Sequence, residues 1–412
     1  MAEIAPIGAE TQRALALEQR YLAHNYQPLD VAIAAGQGAM VTDELGKEYF
    51  DLVGAYSAVS QGHTHPRIYQ AMLDQANNVG VTGRYVHNLL LGPYAAKLCQ
   101  LVERGDPEIA MKMLPMNSGS EAVDTAIKMS LRWAYDKKGI PDGEGRIIAA
   151  KGNFHGRTMG ALSLSTTPEY RKGFEPLADN IDWVDFGDED ALESVITDKT
   201  AAFFVEPIQG EGGVIVPPAG YLKKAAEICR KHNVLLVADE VQTGLGRTGK
   251  WLASWHDDVQ PDVVILGKAL GGGVYPVSAV VGKAEVMDVF EPGSHGSTWG
   301  GNPIACAVAM ESLDVIEDEG LAAQAAKLGN IALERLKAIR SPHVKEARGK
   351  GLLLGVELDQ PARPVCERLA QLGALSVPTH DNVVRFAPPL IISEEQLHRA
   401  LDLVEQAILE MN

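Results

Sequence analysis

Two short apolar runs of the chain end in residues that can do chemistry. Val234–Ala238 runs straight into Asp239 and Glu240, and Asp262–Leu266 runs into Gly267 and Lys268, followed by the glycine-rich Ala269–Gly273. Runs of this length without polar alternation are expected for strands covered on both faces, and in open parallel sheets the carboxyl ends of the strands line the ligand crevice. Asp239 and Lys268 are therefore expected to reach one pocket. A lysine delivered by an apolar strand into a tight crevice loses hydration, which favours its neutral amine. Such an amine can form a Schiff base with a carbonyl compound.

A third feature completes a set. Met116-Asn-Ser-Gly-Ser-Glu-Ala122 opens a helical segment, where unpaired backbone amides favour a dianion. Alone, this is an ordinary helix cap. Together with the lysine and the acid it meets the needs of pyridoxal 5'-phosphate: an amine for the aldehyde, a carboxylate on the pyridinium nitrogen and a cradle for the phosphate. A competing signal, Gly244-Leu-Gly-Arg-Thr-Gly-Lys250, mimics a nucleotide-binding loop. The next residue, Trp251, has no hydroxyl for Mg²⁺, and Asp239–Thr243 separates the loop from its strand. It reads as a flexible glycine-rich loop beside the site, and an ATPase there would need Mg²⁺-dependent nucleotide hydrolysis.

In order and spacing, Asn117-Ser-Gly-Ser-Glu121, Asn153-Phe-His-Gly-Arg-Thr158, Val205-Glu-Pro-Ile-Gln-Gly-Glu211, the Ala238–Gly249 stretch, Leu266-Gly-Lys268 and Gly296-Ser-Thr-Trp-Gly-Gly-Asn-Pro303 resemble the class III (subgroup II) pyridoxal-phosphate aminotransferases. Within that class, His24–Pro28, Ala55–His65, Val205–Val216 and Pro378–Pro389 are most similar to ornithine aminotransferases. The resemblance implies the fold type I transferase architecture. It also implies transfer of the δ-amino group of L-ornithine to 2-oxoglutarate, giving glutamate 5-semialdehyde and glutamate by a ping-pong cycle. The alternatives are an aminotransferase for acetylornithine or another ω-amine, and a catalytically silent binding protein on the same fold.

The resemblance also implies roles. Lys268 would hold the cofactor as a Schiff base and shuttle a proton, and Asp239 would hold the pyridinium. Phe154 would stack on the ring, with His155 also in the cofactor set, and Gln242 would donate toward the phenolate oxygen. Ser118, Gly119 and Ser120 would bind the phosphate, which Ser297 and Thr298 would reach from the partner subunit of a homodimer. Tyr26, Tyr56, Arg157, Glu211 and Arg385 would form the substrate site. Two planar guanidinium forks suit the two carboxylates of 2-oxoglutarate, while ornithine has one. Glu211 would pair with Arg385 when ornithine is present and swing away for the dicarboxylate. No metal is expected.

These residues need a scaffold, and the chain alternates strand and helix periods as an α/β domain with a largely parallel sheet does. Further strands are expected at Arg146–Ala149, Ala201–Val205 and Val277–Val281, with crossover helices at Ser120–Lys137 and Ala219–His232. Pro303–Arg340 reads as nearly continuous helix, Gly351–Leu358 and Val383–Ala387 as strands, and a capping box at Ser393–Gln396 starts a last helix. Near the start, Ala39–Thr42 and Tyr49–Leu52 flank a turn. The expected division is an N-terminal segment, 1–60, packing with the small domain; a large α/β cofactor domain, 61–302; and a small α+β domain, 303–412. A net charge of −17 disfavours nucleic acid and anionic membrane as partners. Four scattered cysteines and no apolar leader point to a cytoplasmic protein.

Overall fold

The computed structural model describes residues 8–106 and 108–411. A small antiparallel meander comes first: β1 (Ile33–Gln37), β2 (Met40–Asp43) and β3 (Glu48–Asp51). The central sheet contains β4 (Met111–Met116), β5 (Arg146–Ala150), β6 (Ile181–Val184), β7 (Thr200–Val205), β8 (Leu235–Asp239), β9 (Val263–Leu266) and β10 (Ser278–Lys283). Their spatial order is β4-β10-β9-β8-β7-β5-β6, and only β10 runs antiparallel to its neighbours. A third sheet is built from β11 (Val344–Lys350), β12 (Leu353–Leu358), β14 (Val377–Thr379) and β15 (Val383–Phe386), while the short β13 (Ala374–Leu375) leaves it to pair with β3.

The unbroken apolar strands have a simple cause. Ile147, Ala149, Phe204 and Val237 face one buried core, while Ile148, Ala150, Phe203 and Leu236 face another on the opposite side of the sheet. Helices cover both faces, so both sets of side chains leave water. The two central strands missing from the sequence reading, β4 and β6, are the edges of this sheet. There one-sided pairing tolerates Pro115 and the polar Asp182. The helical stretch after Pro303 is two helices, Pro303–Asp318 and Leu321–Ala338, broken at Gly320, whose φ is 62°.

Both ends of the chain meet. Besides the β13–β3 pairing, Arg363 donates to the carbonyls of Gln27 and Pro28, and Lys47 donates to those of Ala370 and Gln371. The helix Pro303–Asp318 packs on the helix Pro66–Asn78 and on the turn Lys268–Gly271. The glycine-rich Gly244–Lys250 stretch is not a loose loop at the site: Gln242–Thr248 is buried and packs against the helix Leu321–Ala338 and Gly351. Among the described residues, no helix is long and apolar enough to cross a membrane.

Candidate active site

The carboxyl ends of β7, β8 and β9 deliver three ionisable groups to one cavity of about 180 Å³. Its lining includes Ser118, Gly119, Phe154, Glu206, Asp239 and Lys268. Asp239 is the last residue of β8, and its Oδ2 lies 2.7 Å from the Nδ1 of the buried His155. The other oxygen accepts from the Val241 amide at 3.0 Å. Burial disfavours the His155 cation, but Asp239 more than offsets this and raises its pKa. The neighbouring Glu240 is structural, accepting from the amides of Ala253 and Ser254 at 3.0 and 2.8 Å.

Lys268 follows β9 with a φ of 45°, a left-handed conformation that an ordinary side chain rarely adopts. The surrounding packing must impose it. Desolvation lowers the Lys268 pKa, as the approach along an apolar strand predicts. Lys268 has no ion-pair partner among the described residues, and the nearby charges of Glu211 and Arg385 act on it in opposite directions.

The start of the helix Gly119–Trp133 closes one end of the cavity, where the phosphate cradle is expected. Ser118 caps the helix, accepting from the Glu121 amide while Glu121 accepts from the Ser118 amide, and Ser120 Oγ accepts from the Arg157 amide. A Cβ on Gly156 would come within 2.1 Å of Ser120 Oγ, so this corner closes only around glycine. Ser297 Oγ lies 3.0 Å from Asn117 Nδ2 of the same chain, behind this turn, and Thr298 is exposed.

Behind Glu211, which lines the cavity, β15 presents Arg385, which is 2 % exposed, as its ion-pair partner. Although burial opposes ionisation of Glu211, Arg385 and Lys268 hold its pKa below the usual range. The Arg385 guanidinium lies 5.2 Å over the ring of Tyr56. Tyr56 sits in a run of left-handed residues, Ala55, Tyr56 and Ser57, held by Asp51, which accepts from the amides of Val53 and Gly54. Gln242 spans the two, its Nε2 lying 3.4 Å from both the Tyr56 carbonyl and Glu211 Oε1. Arg157 is exposed, with its guanidinium over the rings of Tyr170 and Phe154. Tyr26 is 77 % exposed and is not among the residues that line the cavity.

Two participants were not anticipated. Tyr170 comes from the short helix Pro168–Arg171, which no motif marks. Glu206 is buried, accepts from the Phe154 amide at 2.8 Å, and has its pKa pushed up to about 7 by burial. Its position directly after β7, matching that of Asp239 at the end of β8, was a signal available in the sequence.

The cavity suits pyridoxal phosphate on its own terms. His155 Nε2 and Gln242 Oε1 are buried without a hydrogen-bond partner, an amine and an acid face each other, and a helix N-terminus closes one end.

The aminotransferase class-III family matches residues 21–408, and the chain belongs to that family. It is a pyridoxal-phosphate-dependent transaminase of fold type I. It is 50% identical to the ornithine aminotransferase of Exiguobacterium sp. over 400 residues, 97% of this chain and 98% of that protein. The crystal structure of the Toxoplasma gondii ornithine aminotransferase superposes with a TM-score of 0.94 at 44% identity, covering 97% of this chain and 95% of the other. The acetylornithine aminotransferase of Elizabethkingia anophelis gives 0.88 at 43%, covering 97% and 99%.

Proposed function

We propose that this chain transfers the δ-amino group of L-ornithine to 2-oxoglutarate, producing glutamate 5-semialdehyde and glutamate. The observation that carries this is the Glu211–Arg385 pair beneath Tyr56, opposite Lys268. A buried guanidinium without a counter-charge costs several kcal/mol. Glu211 compensates Arg385 while a substrate with one carboxylate occupies the pocket, and a dicarboxylate takes over that duty when Glu211 moves aside. The same site thus serves both half-reactions. The full-length similarity to ornithine aminotransferases agrees with this assignment.

Pyridoxal phosphate supplies the carbonyl that receives the amino group and a ring that absorbs the electron pair released when a substrate C–H bond breaks. Lys268 would hold the cofactor and carry the proton on Nζ, whose hold on that proton burial weakens. Asp239, oriented by its 2.7 Å hydrogen bond with His155, would hold the ring nitrogen, and Phe154 would cover the ring. Ser118, Gly119 and Ser120 hold the phosphate. Gln242 serves the phenolate side while bracing Glu211. Arg157 and the hydroxyls of Tyr26 and Tyr56 receive the amino acid end of ornithine.

A homodimer with shared sites is part of the proposal. Tyr85 and Leu89 are 90% and 92% exposed, with Tyr69, Leu73 and Trp299 also uncovered, an apolar surface that a second copy would bury. Tyr26, Ser297 and Thr298 would complete their contacts there. The division at residues 60 and 302 belongs to the same reading, supported by the β3–β13 pairing of the chain ends. So does a cytoplasmic location, supported by four unpaired, buried cysteines.

Product analysis tests the regiochemistry. Ornithine and 2-oxoglutarate should yield glutamate and an aldehyde that cyclises spontaneously to a pyrroline and is trapped by o-aminobenzaldehyde. Formation of an α-keto acid from ornithine instead would refute δ-transfer.

A further inference from the structure

The two carboxylate-binding arginines are held in different ways. Arg385 is buried and bound to Glu211, whereas Arg157 is exposed and has no carboxylate partner among the described residues. An exposed arginine carries about 2 kcal/mol of side-chain entropy, so an unsupported fork would not stay aimed at a ligand. The support is aromatic. The Arg157 guanidinium carbon sits 3.7 Å from the ring centroid of Tyr170 and 5.2 Å from that of Phe154, and the two rings meet edge to face at 5.8 Å and 85°.

We propose that Tyr170 is a positioning residue for the substrate carboxylate: its ring seats the Arg157 guanidinium so that the edge of the fork stays open to the ligand. This rests on the reading of Arg157 as the permanent carboxylate anchor. With its carbon 3.7 Å from the ring centroid, the guanidinium is held through the ring face, an uncharged contact that leaves the carboxylate-binding N–H groups without a competing protein acid. A salt bridge to a protein acid would compete. That distinguishes the two arginines: Arg385 is gated by an anion, and Arg157 is held by an uncharged surface that never needs displacing. Tyr170 is itself well anchored. Its neighbour Arg171 donates to the carbonyls of Ser163 and Ser165 and lies over Trp183, fixing the turn that carries the ring. Because the ring also meets Phe154, one residue coordinates the carboxylate anchor with the cover of the cofactor cavity.

The test uses the cofactor-loaded enzyme with Tyr170→Phe, which keeps the ring, and Tyr170→Leu, which keeps bulk without an aromatic face. Glutarate, a dicarboxylate with no transferable group, is titrated by calorimetry, and KM and kcat are measured with ornithine and 2-oxoglutarate. Tyr170→Leu should weaken glutarate and raise both KM values roughly tenfold with kcat nearly unchanged, while Tyr170→Phe, which keeps the ring and loses only the hydroxyl contact to Arg157, loses far less. Glutarate binding equal to wild type in Tyr170→Leu, or equal losses in both variants, would overturn the proposal. So would a loss confined to kcat. Because glutarate binding needs no turnover, it reads the role of Tyr170 even if ornithine proved to be the wrong donor.

Discussion

Glu211 pairs with an Arg385 side chain that is only 2% exposed, so the loop after β7 and strand β15 share one buried charge compensation at the mouth of the cofactor cavity. Thr379 adds to the link, its hydroxyl donating to the Glu211 carbonyl at 2.7 Å. The Glu211 backbone is thereby pinned independently of its carboxylate, which Arg385 and Gln242 hold.

Removing the proposed gate should therefore change substrate choice more than catalytic power. In Glu211→Ala, Arg385 stands open to any α-carboxylate, and kcat/KM for glutamate as donor should rise about tenfold relative to that for ornithine. Steady-state kinetics with both donors measures the ratio. An unchanged ratio would mean that the pair is only structural.

Glu206 gives a pH signature in the cofactor-free protein. Its folded pKa, raised by burial from 4.5 to about 7, means that the folded state binds the proton more tightly than the unfolded state. The associated stability is fully present below pH 4.5 and is lost as the pH rises through 7, about 3 kcal/mol across that window. Glu206→Gln should flatten this part of the pH dependence in denaturant unfolding. Superimposable profiles for the two proteins would show that Glu206 does not titrate there.

Arg247 is fully buried and has no carboxylate partner among the described residues; its pKa falls to about 9 through desolvation. It donates to the carbonyls of Leu352 and Pro388 and to Ser60 Oγ, joining the segments that carry Tyr56 and Arg385 to the loop after β8. Arg247→Met relieves the charge but strands two buried carbonyls, each costing roughly 1–3 kcal/mol. The variant should unfold at lower denaturant with an unchanged slope, and a wild-type midpoint would count against this role.

Much of the site was legible because its chemistry lies at strand ends. The apolar run before Asp239 and the one before Lys268 predicted adjacent strands and a shared pocket, and both are found there. The edge strands β4 and β6 were not legible, since one-sided burial leaves no continuous apolar run. Tyr170 escaped because a stacking partner has no fixed sequence spacing from its arginine. The glycine-rich Gly244–Lys250 stretch was misread as loose, since the residues it packs on, such as Ala326 and Gly351, lie far along the chain and only the fold brings them close. Tyr26 is exposed within one chain, and a dimer partner would be needed to cover it.

The most direct measurement is a rate comparison of amino donors, ornithine, N-acetylornithine and other ω-amines, at fixed 2-oxoglutarate with the cofactor-loaded enzyme. The proposed Glu211–Arg385 gate and the substrate roles proposed for Tyr26 and Tyr56 predict that ornithine has the highest kcat/KM. Faster consumption of N-acetylornithine than of ornithine would contradict the assignment.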